Sequence, residues 1–316
     1  MAEKRAVLIA GPTASGKSHA AMAVAQAVDG VVVNADSMQV YRELRVLTAR
    51  PSAEDEALVP HRLYGIISVA EPFSVGTWLA HVTGALDEVW RDGKVPVIVG
   101  GTGLYFRALL DGLVQIPEVP DEVRRVWRDR LDAEGPHALH RLLAERDPAA
   151  AARIEPADGQ RIVRGLEVEA ATGRALSAWQ GDRAEGSALD PAHSVEIVLW
   201  PPREELYARC DRRFDRMVAM GGLDEVRGLS ALDLDPALPA MKALGVRQLM
   251  AHLAGDCDLD TAVEDAKTWT RRYAKRQMTW FRRNMISWNA VHEKDSERIL
   301  HEIFAILRDN ELTGTT

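Results

Sequence analysis

The sequence predicts an α/β fold in which a doubly wound parallel sheet carries a helical insertion and a helical C-terminal region. Apolar runs alternate with helical patterns up to about residue 112, and charged amphipathic helices without strands follow from about Pro117. Such alternation is typical of a parallel sheet with helices on both faces. A chain of 316 residues, 47% hydrophobic and 27% charged, is long enough to bury this core.

The first predicted strand, Ala6–Ala10, leads into a phosphate-binding loop. Residues 11–18 read Gly-Pro-Thr-Ala-Ser-Gly-Lys-Ser, a complete G-x-x-x-x-G-K-[ST] motif, and a helical pattern follows over 17–28. In such a loop backbone N–H groups cradle phosphate oxygens, Lys17 adds positive charge and the Ser18 hydroxyl can ligate Mg²⁺. The helix points its positive end at the anion. We therefore expect a phosphate-loop NTPase-like fold that binds a diphosphate or triphosphate, ATP among them, through Gly11, Pro12, Thr13, Ala14, Ser15, Gly16, Lys17 and Ser18.

Two further strands end in polar clusters. The strand at 31–36 ends in Asp36-Ser-Met-Gln39, and the strand at 96–100 is followed by Gly101-Thr-Gly103. Ligands of parallel sheets collect at the carboxyl ends of the strands. The sequence thus predicts that both clusters meet the phosphate loop at one edge. Helical patterns at 74–92 and 104–112 complete this part of the core.

Residues 117–190 are predicted to form a helical insertion domain within an α/β core made of residues 1–116 and 191–316. A fourth strand at 194–200 returns the chain to the sheet before Pro201 and Pro202 stop it. The remaining helical patterns lie at 121–134, 136–146, 158–172, 203–220, 222–230, 242–254 and 260–286.

Composition limits the cellular setting. Cys210 and Cys257 are isolated, so neither a disulfide framework nor a zinc site is indicated, which fits a reducing cytoplasm. No stretch approaches the length needed to cross a bilayer, and the apolar run near the N-terminus is too short for a signal peptide. We expect a cytoplasmic protein, monomeric and without an obligate protein partner.

The net charge of −8 by itself argues weakly against nucleic-acid binding, but the chain also contains two basic clusters. The late helix places its basic residues on an arc of roughly 140°, with an apolar back that can dock on the core. A carboxylate four residues away is missing for most of them, which favours a polyanion over a solvated, ion-paired face. This cluster comprises Arg271, Arg272, Lys275, Arg276, Arg282 and Arg283. The second, at helical spacing, comprises Arg209, Arg212, Arg213 and Arg216, which Asp211 and Asp215 could partly neutralise.

Asp36 is open to three interpretations. It can hold Mg²⁺, cap the following turn, or accept a proton from a nucleophile. The chain lacks the Asp-Asp, Asp-Glu or Asp-x-x-Gly strand ends of ATPases and the Asn-Lys-x-Asp of GTPases. A phosphate loop without water-activating groups favours the proton acceptor.

Seven motifs in order resemble the bacterial tRNA dimethylallyltransferases, also named tRNA isopentenyltransferases, from about residue 5 to 290. They are GPTASGKS at 11–18, DSMQVY at 36–41, TARP at 48–51, VPHRL at 59–63, GGTGLY at 100–105, QRIVR at 160–164 and KRQMTW at 275–280. The set is far more specific than the phosphate loop alone.

The resemblance implies transfer of a dimethylallyl group from dimethylallyl diphosphate to the 6-amino nitrogen of the adenosine next to the anticodon. It implies Asp36 as the base and Thr102 as its partner, with Arg213 and Mg²⁺ near Ser18 on the leaving diphosphate. The adenine must leave the base stack to react. In the family the insertion and the core clamp the anticodon stem-loop, which predicts RNA contacts at Asp36, Ser37, Met38, Gln39, Thr102, Arg124, Gln160, Arg161, Ile162, Val163, Arg164, Arg272, Lys275, Arg276 and Arg282.

Three other functions stay open from the residues. An adenylate isopentenyltransferase shares the loop and the donor but takes a free nucleotide, and the insertion and basic helix speak against it. A small-molecule kinase would convert ATP to ADP in the presence of acceptor. A non-catalytic RNA-binding NTP sensor would bind tRNA and leave it unmodified.

Overall fold

A computed structural model describes residues 4–182, 184 and 186–313 and confirms the predicted fold class. Six strands, all paired in parallel, form one sheet in the order β3-β2-β4-β1-β5-β6. The strands are β1 Ala6–Ala10, β2 Gly30–Asn34, β3 His61–Arg62, β4 Val95–Gly100, β5 Ser194–Leu199 and β6 Asn289–Val291.

Fourteen α-helices accompany this sheet in the described part of the chain. They are α1 Lys17–Ala27, α2 Ala53–Leu58, α3 Val75–Arg91, α4 Gly103–Asp111, α5 Asp121–Glu134, α6 Pro136–Arg146, α7 Pro148–Ala151, α8 Gly159–Thr172, α9 Leu176–Gln180, α10 Arg203–Met217, α11 Leu223–Ser230, α12 Val246–Leu253, α13 Leu259–Asn284 and α14 Ser296–Asp309.

The central strands are buried because both faces of a parallel sheet are covered. All five residues of β1 and of β2 are buried. On one side, small and branched residues of α1 pack against the sheet together with Ile299, Ile303 and Leu307 of α14. Those three residues recur every four positions, which places them on one helix face. This packing fixes the start of α1, and with it the end of the phosphate loop.

The chain divides into two compact units. One contains the sheet and runs to Leu110, resuming at Ala188; the other is Asp111–Ser187. The second unit has a core of its own, in which Trp127 of α5, Leu139 and Leu143 of α6, and Leu166 of α8 are buried. No helix in the described ranges is at once long and apolar enough to span a membrane.

Several details differ from the sequence prediction, among them the short helices α2, α7 and α9, which were not predicted. The helix predicted over 203–220 ends at Met217, and a wide turn, Val218–Gly222, follows because Gly221 has a left-handed φ of +97°. Strands β3 and β6 were not predicted, since they have two and three residues and no apolar run. Helix α14 was also missed, although its apolar face completes the core described above.

Candidate active site

The phosphate loop connects β1 to α1, and its shape depends on two glycines. Gly16 precedes α1 with a left-handed φ of +92°, a conformation that suits glycine. A Cβ on Gly11 would lie 2.6 Å from Ser15 Oγ, so a side chain there would displace the loop. Ser15 Oγ is itself buried and has no hydrogen-bond partner in the described part of the chain. The loop thus keeps a buried polar atom unsatisfied, as expected where an anion binds.

A cleft of about 400 Å³ opens beside this loop. Its walls are Lys17, Ser18 and neighbouring loop residues on one side, and on the other the four arginines of the second basic cluster, all on α10. Glu205 pairs with Arg209 and Arg212, at 2.9 and 3.2 Å. The predicted neutralisation by Asp211 and Asp215 does not occur, because those carboxylates pair with Arg271 and Lys267 of α13 instead.

Lys17 and Arg213 are the two cations of this cleft whose side chains donate to the phosphate loop. Lys17 Nζ donates to the Pro12 carbonyl at 3.2 Å. Arg213 donates through Nη1 to Thr13 Oγ1 at 3.0 Å and through Nη2 to the Thr48 carbonyl at 3.4 Å. Burial, with Arg213 nearby, lowers the pKa of Lys17 to about 8, and burial also lowers the pKa of Arg213. Two cations that repel each other across a half-buried site provide a strong anion-binding position.

Asp36 lies just past the end of β2, on a backbone fixed by Asn34. The buried Asn34 side chain accepts from the Asp36 N–H at 2.8 Å and donates to the Asp36 and Leu63 carbonyls. Asp36 Oδ1 accepts from the Met38 N–H at 2.9 Å, which is the capping role considered from the sequence. Oδ2 has no partner among the described residues, so one carboxylate oxygen stays available to a ligand.

Thr102 joins the end of β4 to this segment. Its Oγ1 accepts from the Ser37 N–H at 3.0 Å and lies 3.3 Å from Ser37 Oγ, to which it can donate. Its N–H donates to the Ala35 carbonyl at 3.3 Å. The preceding Gly100 admits no side chain, because a Cβ there would lie 2.0 Å from the same carbonyl oxygen. The close approach of the two strand ends therefore brings Asp36 and Thr102 together.

Aromatic residues that the sequence analysis did not assign surround the carboxylate. Tyr105 stacks on Trp78, with ring centroids 4.2 Å apart and planes at 16°. Burial raises the pKa of Tyr64, Tyr105 and Tyr273, and the negative charge of Asp36 raises each further. All three phenols are close enough to feel that charge and stay protonated at neutral pH. Asp36 thus lies near three protonated phenols, and the stacked Trp78 and Tyr105 rings are buried.

Gln277 of α13 was also missed as a site residue. Its side chain is buried, and its Oε1 accepts from the Thr13 N–H at 2.9 Å while its Nε2 donates to the Gly101 carbonyl at 2.8 Å. The contacts join residues 264 and 176 positions apart. Only its place in the KRQMTW motif pointed to it.

The 44–49 loop is held by Glu225 at the α11 end of the wide turn. The Glu225 carboxylate accepts from the N–H groups of Arg45, Val46 and Leu47 at 2.7, 2.7 and 2.9 Å. The Thr48 carbonyl then accepts from Gln39 Nε2 at 2.9 Å as well as from Arg213. Because its amide is used internally, Gln39 positions the loop.

The predicted basic face of α13 is only partly free. Arg271 forms an ion pair with Asp211 at 2.5 Å, so its charge is neutralised within the protein. Arg272 and Arg276 are both exposed. The Arg272 guanidinium lies 5.4 Å from the Trp269 ring, and the Arg276 guanidinium lies 5.6 Å from the Tyr273 ring. On the other edge of the helix, a second cleft of about 360 Å³ is lined by Lys275 and Arg282 together with Trp200, Tyr207 and their neighbours. Arg282 lies 5.7 Å over the Trp200 ring.

In the Asp111–Ser187 unit, called the helical unit below, some predicted RNA-contact residues are exposed and others are buried. Gln160, Arg161 and Arg164 are exposed on α8, and Arg124 on α5 pairs with Asp121 at 3.3 Å. Ile162 and Val163 are 0% and 5% exposed. Helical periodicity turns these two side chains into the core of the unit. They orient the exposed residues of α8.

Comparison with known proteins decides the family. The IPP transferase family model matches residues 39–284, and the isopentenyl transferase model matches residues 4–66. The tRNA dimethylallyltransferase of Parvibaculum lavamentivorans is 54% identical over 98% of each chain. This chain belongs to the tRNA dimethylallyltransferase family. The resemblance inferred from the seven motifs is thereby confirmed.

Further members of the tRNA dimethylallyltransferase family agree in sequence and in fold. The enzyme of a Chelativorans species is 53% identical over 89% of this chain and 96% of its own. The crystal structure of the tRNA isopentenylpyrophosphate transferase of Bacillus halodurans is 33% identical, with a TM-score of 0.70 over 98% of each chain. A eukaryotic dimethylallyltransferase captured acting on tRNA is 26% identical, with a TM-score of 0.79 over 97% of this chain and 78% of the other.

Proposed function

We propose that this protein transfers a dimethylallyl group from dimethylallyl diphosphate to the 6-amino nitrogen of the adenosine adjacent to the anticodon in tRNA, releasing diphosphate. The observation that carries the proposal is the order of groups along the sheet edge. A carboxylate and a hydroxyl, Asp36 and Thr102, follow β2 and β4, and a cation-rich cleft lies at the end of β1. An acceptor and a leaving diphosphate thus have adjacent places.

The acceptor side supplies a base. The adenine amine is a weak nucleophile because its lone pair is delocalised into the ring, and it becomes acidic as the carbon–nitrogen bond forms. The partner-free oxygen of Asp36 can take that proton. Thr102 holds the Asp36–Ser37 segment through its hydroxyl, and the buried Trp78, stacked on Tyr105, supports this segment by donating to the Asn34 carbonyl at 2.9 Å. Enzymes that act on a base turned out of the stack recognise it by stacking and edge contacts.

The donor side stabilises the leaving group. The carbon–oxygen bond of the allyl diphosphate breaks as the carbon acquires positive character, and the bonding electrons go to the diphosphate oxygen. Loop N–H groups, Lys17 and Arg213, which line one cleft, stabilise that developing negative charge in the proposed reaction. Bound diphosphate raises the pKa of Lys17, because its negative charge opposes the effects of burial and of the nearby Arg213, which lower that pKa. No phosphoryl group moves.

Mg²⁺ is the proposed cofactor. No group of three or more His, Cys, Asp or Glu that could hold a metal occurs among the described residues. The exposed Ser18 hydroxyl lines the cleft, and Mg²⁺ commonly keeps waters and takes substrate phosphate oxygens alongside few protein ligands. The donor set therefore fits Mg²⁺ held by Ser18, diphosphate and water. The ion would neutralise charge on the departing diphosphate.

We further propose that the anticodon stem-loop contacts polar and basic residues of both units. These are Arg124, Gln160, Arg161 and Arg164 in the helical unit, and Arg272, Lys275, Arg276 and Arg282 on α13, together with the Asp36–Gln39 segment and Thr102. The insertion domain is proposed to span 117–190 within a core of 1–116 and 191–316. A monomeric, cytoplasmic enzyme that can also bind ATP at its phosphate loop completes the proposal.

Mass spectrometry of tRNA tests the activity directly. Purified protein is incubated with unmodified tRNA, Mg²⁺ and dimethylallyl diphosphate, and the digested nucleosides are searched for adenosine carrying the five-carbon group. The expected product is a single modified adenosine beside the anticodon. Prenylation of free AMP in preference to tRNA would favour an adenylate isopentenyltransferase. ADP formation from ATP with an acceptor would indicate a kinase, and tRNA that is bound but unmodified would indicate an RNA-binding sensor.

A further inference from the structure

Gln277 lies between the acceptor half and the donor half of the proposed site. We call the place where these halves meet the seam. In the sheet, β4 lies between β2 and β1. The Gly101–Thr102 turn after β4 belongs to the acceptor half, and the loop after β1 belongs to the donor half. The Gln277 side chain accepts from the Thr13 N–H and donates to the Gly101 carbonyl. Through this side chain α13 bonds to the segments that follow both strands.

The seam is built for a carboxamide. One planar group must offer an acceptor at one end and a donor at the other, which an amide does and an ionised carboxylate cannot. Gln277 is 6% exposed, so water does not readily replace either contact. A Cβ on Gly101 would lie 2.3 Å from Gln277 Nε2, so the turn has space for the amide only because residue 101 is glycine.

The contacts continue on both sides of the amide. Thr13 accepts through Oγ1 from Arg213 at 3.0 Å, and so is held by α10 as well as by α13. Next to Gly101, Thr102 holds Ser37 through its hydroxyl at 3.0 Å. A hydrogen-bonded line therefore runs from Arg213, on the leaving-group side, through Gln277 to the segment that carries Asp36.

We propose that Gln277 is a positioning residue for the transfer, one that holds the diphosphate loop and the Asp36–Thr102 pair at a fixed separation. This inference rests on the proposed function. Gln277 itself touches no reacting atom. Its loss should therefore slow the transfer step and leave RNA binding intact, since the proposed RNA contacts on α13 are exposed side chains on other faces of the helix.

Two substitutions separate positioning from mere stability. Gln277→Leu can make neither contact, and we expect kcat to fall roughly 10- to 100-fold, because buried polar groups are left unpaired. Gln277→Glu should lose a similar amount at high pH. A protonated carboxyl has one donor and one acceptor, so its kcat relative to wild type should recover as the pH is lowered towards about 6, where burial favours the protonated form. The Leu variant should show no such recovery.

Gln248→Leu on α12 is the matched control, because that side chain is only partly buried and bonds Asp265. It should keep wild-type kcat. Thermal melting and tRNA affinity are measured for all four proteins, and tRNA affinity should change by less than about twofold, well below the effect of losing a base contact. Wild-type kcat in either variant, a tRNA affinity lost in parallel with kcat, or a flat relative pH profile for Gln277→Glu would overturn the inference. If the wild type itself modifies no tRNA, the proposed function fails instead.

Discussion

The diphosphate cleft and the basic face of α13 are both rich in cations, but they are built differently. In the cleft, Lys17 and Arg213 are fixed by hydrogen bonds to the phosphate loop and to the 44–49 loop. On the basic face, Arg272 and Arg276 are exposed over aromatic rings, and within the described residues they have no carboxylate partner. Fixed groups stabilise charge that develops at one point, whereas exposed ones attract phosphates broadly and are screened by salt. The first region should therefore set the rate, and the second the affinity for RNA.

From this comparison we expect substitution of Asp36, the proposed proton acceptor, to cause the largest loss of rate. Asp36→Asn keeps an oxygen for the Met38 N–H but removes the base, so kcat should fall about 10²- to 10⁴-fold. The affinity for tRNA should be nearly unchanged. Single-turnover prenylation and filter binding measure the two quantities. Near-normal turnover would refute the role of Asp36 as base.

Arg213→Gln should give the next largest effect. It removes a guanidinium positioned by Thr13 and Thr48, and loss of one such charge-stabilising group costs roughly 10²- to 10³-fold in kcat. Arg203→Gln is the control, since Arg203 lies exposed at the start of the same helix and contacts Tyr207. Equal losses in both variants would show that charge on α10, and not the fixed position of Arg213, sets the rate.

The pH dependence of donor binding tests the buried state of Lys17. With a pKa of about 8, the free enzyme must take up a proton to bind diphosphate above that pH. The KM for dimethylallyl diphosphate should rise about tenfold per pH unit above 8. Stability changes in the other sense: the unfolded lysine keeps its proton up to the ordinary pKa of 10.5, so the free energy of unfolding gains from this group between pH 8 and 10.5. Lys17→Met should lose the step in KM, and a wild-type KM flat up to pH 10 would contradict the assignment.

The smallest expected effect is on the exposed face. Neutralising Arg272 and Arg276 together should raise the KM for tRNA several-fold with kcat unchanged. Each lost phosphate contact should reduce the slope of log affinity against log salt by about 0.7 to 0.9. Arg298 and Arg308 on α14, changed together to glutamine, alter the net charge equally on another surface. If that pair flattens the slope as much, the RNA effect is one of overall charge and not of the α13 face.

Local patterns were sufficient to predict the donor region. The apolar run of β1, the glycines of the loop and Lys17 are contiguous, so one motif predicted the fold class and the strand–loop–helix arrangement together. Asp36 and Thr102 were also predicted, because parallel strands end at one edge. Ile162 and Val163 show the limit of carrying a motif over whole: adjacent residues of a helix point in different directions, and burial decides which of them a partner can reach.

Contacts between distant elements could not be predicted. Gln277 is one polar residue in a charged helix until the fold places it against Thr13 and Gly101. Likewise Tyr64, Tyr105 and Tyr273 come from three separate segments, and no spacing in the chain indicates that all three feel the charge of Asp36. The pairing of Asp211 with Arg271 was missed for the same reason, since it joins two helices 60 residues apart.

The strand order has a further consequence, because it sets a length scale. The ends of β2 and β1 are separated by β4, two inter-strand steps or about 10 Å. No point substitution can change that distance, since it is set by the hydrogen-bonded spacing of the strands. Changes in the segment after β2 can therefore alter which acceptor binds. The distance that the donor must span between the two strand ends stays the same.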